Sequence, residues 1–128
     1  MSIKIFSWNV HWQSMKDQTK NDNAVQIINT LTNQKYDFIA LQEASDLYNK
    51  LKNSIQNYEI LFSSNKGFFP NTNDNDNTNK LITLYDSNKY KLITKRYGSI
   101  QGFNSKGNPS TRPFHILFLV ENNNDKFT

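Results

Sequence analysis

Two polar residues, Asn9 and Glu43, stand where chemistry could occur, each at the end of an apolar stretch that reads as a core strand. A buried strand that closes on a polar side chain delivers it to an edge of the sheet, and the ends of neighbouring strands share that edge. A carboxylate beside an amide is the kind of oxygen-donor set that a hard cation such as magnesium takes, with waters and substrate phosphates completing its octahedron. By spacing alone, a Glu after an apolar strand is more often the first residue of a solvated turn, or a helix-capping partner, than a ligand. Both readings remain open on these two residues.

The elements that must position them follow from periodicity. Ile3-Lys4-Ile5-Phe6-Ser7-Trp8-Asn9-Val10 begins with alternating apolar and polar residues and suits a strand with Asn9 near its end. Asp37-Phe38-Ile39-Ala40-Leu41-Gln42-Glu43 reads as a short strand buried on both faces, with Glu43 emerging at its tip. Between them, Ala24, Ile27, Ile28 and Leu31 fall on one face of a helix, with Asn23 as its cap and Gln26 in capping-box position. Ser45 is placed to cap a second helix carrying Leu47, Leu51 and Ile55, and Tyr58 to Phe62 returns to strand.

Residues from about 65 to 79 read as a mobile Asn-rich loop, because the stretch Asn71 to Asn79 has nothing apolar to bury. Its acidic residues lack the glycine and terminal Glu of a calcium-binding loop. Leu81 to Tyr85 and Tyr90 to Ile93 read as a hairpin across Asp86-Ser87-Asn88, and Gln101 to Pro109 as a loop. Phe114 to Val120 is the most apolar run and suits a central strand, followed by a turn at 122–125. The mixture of helices and strands predicts an α+β domain.

At 128 residues the chain suits one domain with one core. The hydrophobic fraction of 36% is low and much of the polar excess is Asn, which reads as a coding bias more than a functional choice. A net charge of +4 and a pI near 9.3 favour a polyanionic partner such as nucleic acid, while the scattered basic residues equally suit a solvated surface. The absence of cysteine excludes a disulfide framework, a thiolate metal site and a cysteine nucleophile, and fits a reducing compartment. No apolar run approaches a membrane span and the chain opens directly on a strand, so a soluble, intracellular, cytoplasmic protein without a signal peptide is expected.

Ile-Phe-Ser-Trp-Asn-Val at 5–10 and Asp-Phe-Ile-Ala-Leu-Gln-Glu at 37–43, with the spacing between them, resemble the first two motifs of the endonuclease/exonuclease/phosphatase superfamily. The resemblance implies the first half of a deoxyribonuclease-I-like domain, a four-layer α/β/β/α sandwich. It implies that Asn9 and Glu43 lie in an active site and hold a divalent metal, Mg or Mn. The activity implied is a metal-dependent phosphoesterase that hydrolyses phosphodiester or phosphomonoester bonds. Leu84-Tyr85-Asp86 is similar to the family's central hairpin, and Arg112-Pro113 matches an Arg that some members place beside the substrate phosphate, although Arg112 also fits an ordinary surface cation. His11 and His115 stand outside the context of the family's catalytic His and are assigned no catalytic role. Trp8 and Trp12 are expected as core and rim aromatics.

The family's later motifs, an Asn or Tyr with His on a strand, a Gly-Asp-x-Asn loop and a closing Ser-Asp-His, do not occur in these 128 residues. Three expectations follow: little or no turnover from these residues alone, apolar faces left partly uncovered, and a second chain or self-association that completes the fold. A catalytically inactive binding module and a decayed gene copy are the alternatives. Whether the substrate is DNA, RNA, a phospholipid or a small phosphoester is not written in the legible motifs.

Overall fold

Strand periodicity puts two opposite faces on every strand, and here each face of one sheet meets a different layer. The computed structural model describes residues 2–44, 47–68 and 80–122, which form an α+β unit. Its elements are β1 (Ile5–Asn9), a 3-10 turn at Ser14–Lys16, α1 (Gln18–Asn33), β2 (Phe38–Gln42), α2 (Leu47–Ser54), β3 (Tyr58–Ser64), β4 (Gly67–Phe68), β5 (Leu81–Asp86), β6 (Tyr90–Phe103) and β7 (Pro109–Glu121). A five-stranded sheet has the order β1-β2-β5-β3-β4, and β6 and β7 form a separate two-stranded sheet. The pair β1 and β2 is parallel, joined by α1 as a crossover, whereas the other pairs are antiparallel.

The core lies between the five-stranded sheet and the helices. Ile39 and Leu41 of β2 and Ile82 and Leu84 of β5 are buried there with Ala24, Ile28 and Leu31 of α1 and Leu47 and Leu51 of α2. Each such Leu or Ile stabilises the fold by about 1.5–3 kcal/mol through burial. The opposite face is covered in part by the β6–β7 hairpin, whose Tyr90 packs on Phe38 with ring centroids 4.7 Å apart.

A buried carboxylate fastens the end of the sheet remote from Glu43. Asp37 accepts hydrogen bonds from the Lys4 backbone N–H at 2.9 Å, the Lys89 ammonium at 3.2 Å and the Tyr90 hydroxyl at 3.3 Å. Burial alone would raise its pKa. Those donors outweigh burial and hold the carboxyl below its ordinary value. The Tyr58 hydroxyl donates to the Tyr36 carbonyl nearby, and burial, with Asp86 and Asp37 close by, pushes it up to about 12.

Several sequence expectations are corrected. The first helix starts at Gln18 and not near Asn23, because Asp17 caps it, accepting from the N–H groups of Thr19 and Lys20. Its early turns can be polar because the buried Asn21 donates to the Met15 carbonyl at 2.9 Å. Ile27, expected on the core face, is 44% exposed. The expected hairpin across Asp86-Ser87-Asn88 is a change of sheet, since both edges of β5 are already taken by β2 and β3, and β6 pairs with β7 instead.

The loop expected at 101–109 shrinks to a tight turn, with the Asn104 side chain accepting from the N–H groups of Lys106 and Asn108 and Gly107 in the left-handed region. The Phe114 to Val120 run is a strand but not a central one: it pairs on one edge, with β6, and exposes Ile116 and Phe118. The loop expected from residue 65 begins as a turn leading into β4. The Asn71 to Asn79 stretch, the Ser45 cap and most of the turn at 122–125 lie outside the described residues.

Candidate functional site

The parallel register of β1 and β2 sets Asn9 opposite Gln42, so Glu43 emerges beside Asn9 at the C-terminal end of both strands. The last rung is the Val10 N–H donating to the Gln42 carbonyl at 3.0 Å. Immediately beyond it both chains turn sharply, with φ of 62° at His11 and 52° at Glu43. The left-handed region is uncommon for such side chains and costs on the order of 1–3 kcal/mol, so it persists only where its surroundings impose it. Here the neighbours are pinned. Ala44 is fully buried and its N–H donates to the Lys80 carbonyl at 2.9 Å, while the His11 carbonyl accepts from Ser14 N–H at 2.8 Å.

The side chains meet as the sequence suggested. Asn9 Nδ2 donates to Glu43 Oε2 at 2.5 Å, and Asn9 Oδ1 accepts from the His11 backbone N–H at 2.9 Å. The His11 ring is hydrogen-bonded through Nδ1 to Ser14 Oγ at 3.0 Å. Asn9 is exposed and Glu43 half-buried. Among the described residues no three His, Asp or Glu side chains gather into a metal cluster. One carboxylate beside an amide still suits magnesium, which keeps several waters and is commonly held by one or two carboxylates together with substrate phosphate.

Arg112 is not brought to this pair. The side chain of His115 faces the five-stranded sheet. Arg112, three positions earlier in an unbroken ladder, therefore lies on the other face of β7 with Phe114, Ile116 and Phe118. It is exposed there, so the geometry lends no support to a phosphate contact from this residue.

Sequence reasoning missed a polar cluster two strands away. Asn9, Gln42, Leu81, Ser63 and Phe68 stand in one register row across the sheet. Gln42 Nε2 donates to Ser7 Oγ at 3.1 Å. His115 bridges Ser63 Oγ through Nδ1 at 2.8 Å and Thr83 Oγ1 through Nε2 at 2.7 Å, with its ring stacked on Phe68. Burial pushes the His115 imidazole below its ordinary pKa. Ser63 is fully buried, so this is a clip between the two sheets and not an accessible nucleophile. Alternation along the strand left His115 to face either a polar partner or solvent; the fold gives it Ser63 and Thr83.

No protein-family model and no curated protein matches the chain. Among solved structures it is similar to the crystal structure of a functionally unknown conserved protein from Enterococcus faecalis V583, with a TM-score of 0.65 and 19% sequence identity. The match covers 94% of this chain and 48% of that one, so the chain spans about half the length of its structural neighbour. The likeness is one of fold. No helix among the described residues is long and apolar enough to cross a membrane.

Proposed function

We propose that the chain is the metal-binding part of a divalent-metal-dependent phosphoesterase of the endonuclease/exonuclease/phosphatase type, built on a deoxyribonuclease-I-like sandwich. The observation that carries this reading is the contact of Asn9 with Glu43 at paired strand ends, in the two sequence motifs that resemble that superfamily. Glu43 supplies the carboxylate for Mg or Mn, and Asn9 completes the site from β1. When bound, the cation would polarise a phosphoryl oxygen as a Lewis acid. The backbone holds both side chains at the rim through the pinned turns at His11 and Ala44. The substrate class favoured by a net charge of +4 is nucleic acid.

The motifs that would activate water and assist the leaving group are not among these residues, so the chain alone is expected to turn over slowly or not at all. The partly uncovered sheet faces are consistent with a second chain, or a second copy, completing the sandwich. The test is Mg-dependent hydrolysis of single- and double-stranded DNA and RNA by the purified chain, beside Glu43→Ala and a chelator control. Residual cleavage that disappears in both controls supports the reading. Cleavage that survives Glu43→Ala overturns it. Salt-sensitive nucleic-acid binding without any cleavage or metal dependence would favour an inactive binding module, the reading to which the basic charge also lends itself.

A further inference from the structure

A carboxamide has one oxygen that accepts and one nitrogen that donates, and the hydrogen bonds around Asn9 fix which is which. Its oxygen takes the His11 backbone N–H at 2.9 Å, closing an Asx turn, and its nitrogen donates to Glu43 Oε2 at 2.5 Å. The opposite orientation would set the amide nitrogen against the His11 N–H, two donors together, and the amide oxygen against the carboxylate, two acceptors together. Neither arrangement makes a hydrogen bond. One lone pair of the Asn9 oxygen is thus engaged by backbone, and the face turned to Glu43 is a donor, which a cation held on that carboxylate would not be drawn to.

We infer that Asn9 is a positioning residue for Glu43 and not a cation ligand: its amide nitrogen holds Oε2, and Oε1 is the oxygen Glu43 presents to the metal. Among the described residues Oε1 has no hydrogen-bond partner. The inference rests on the reading of Glu43 as a divalent-metal carboxylate, and it changes the role that the motif resemblance gives Asn9. It also gives His11 a part through its backbone: the N–H of His11 orients the carboxamide, which orients the carboxylate. Such relays matter because a ligand held by an outer partner is prepared for the cation. Losing the partner lowers metal affinity by about 10–100-fold.

The test is NMR of the intact wild-type chain at zero and saturating MgCl2. It follows the Glu43 side-chain carboxyl carbon, the Asn9 carboxamide carbon and the hydrogen exchange of the His11 N–H. A positioning role predicts that Mg2+ moves the Glu43 signal while the Asn9 carbon stays put and the His11 N–H keeps its protection. A ligand role puts the cation on Oδ1 itself, so the Asn9 carbon would move together with that of Glu43; that result overturns the inference and leaves the metal site standing. Absence of any Mg2+ response at Glu43 overturns both. In Asn9→Ala the inference predicts Mg2+ binding weakened by about tenfold and loss of His11 N–H protection already in the metal-free protein.

Discussion

Ser63 Oγ and His115 Nδ1 are hydrogen-bonded at 2.8 Å, which ties the five-stranded sheet to the β6–β7 hairpin at a buried point. Burial pushes the folded pKa of the imidazole below the ordinary value of 6.5. A depressed value means that the unfolded chain takes up the proton first as the medium is acidified. The stability linked to His115 is therefore fully present above about pH 6.5 and is lost as pH falls through the lower folded value. Urea midpoints should drop between pH 8 and pH 5, and His115→Gln should flatten that drop. An unchanged slope in the variant would remove His115 as its source.

The Asp37 cluster predicts a second, more acidic limb. Its depressed carboxyl contributes stability above the ordinary carboxylate range that is lost as pH falls through the folded value. Asp37→Ala removes a buried acceptor of three donors, and urea unfolding at pH 7 should show a loss of about 2–3 kcal/mol. Lys89, whose side chain is half exposed, should cost about 0–1 kcal/mol on truncation to Ala. Equal losses in the two variants would mean that the ion pair, and not the whole set of donors, holds Asp37.

Gly98 and Phe114 make a prediction about the hairpin. A Cβ at Gly98 would fall 2.5 Å from Phe114 Cζ, so the ring occupies the space that a side chain would fill. Gly98→Ala must push the ring aside and should destabilise by about 1 kcal/mol in thermal or urea unfolding. The same change in a Phe114→Ala background should be neutral or stabilising, because Ala is the better strand residue once the clash is gone. Additive losses in the double variant would contradict the clash.

Those elements show how much the sequence disclosed. The meeting of Asn9 and Glu43 was legible because strand periodicity places each at the tip of a core strand, and parallel pairing does the rest. The switch of sheets after Asp86 was not, since a turn sequence says that the chain reverses but not which neighbours already occupy the strand before it. The early start of α1 was hidden because its first buried residue is the polar Asn21, whose amide nitrogen donates to the Met15 carbonyl. The face that Arg112 takes was not legible for a related reason: it depends on what covers the sheet, and here the covered face is the one that carries His115.

The outer face of the hairpin exposes Ile100 at 63%, Ile116 at 46% and Phe118 at 50%. Apolar side chains grouped on one face of a two-stranded sheet favour association. Sedimentation velocity over a range of concentrations should show self-association of the isolated chain. The double change Ile116→Lys with Phe118→Lys should shift it toward monomer. A monomer with a sharp, concentration-independent melting transition would show that this face needs no cover.

Calorimetric titration of the wild-type chain and of Glu43→Ala with MgCl2 and MnCl2 decides whether Glu43 holds a divalent cation. A metal site there predicts one ion bound per chain by the wild type and none by the variant, with far-ultraviolet circular dichroism confirming that the variant is folded. Equal binding by both proteins, or none by the wild type, would contradict it.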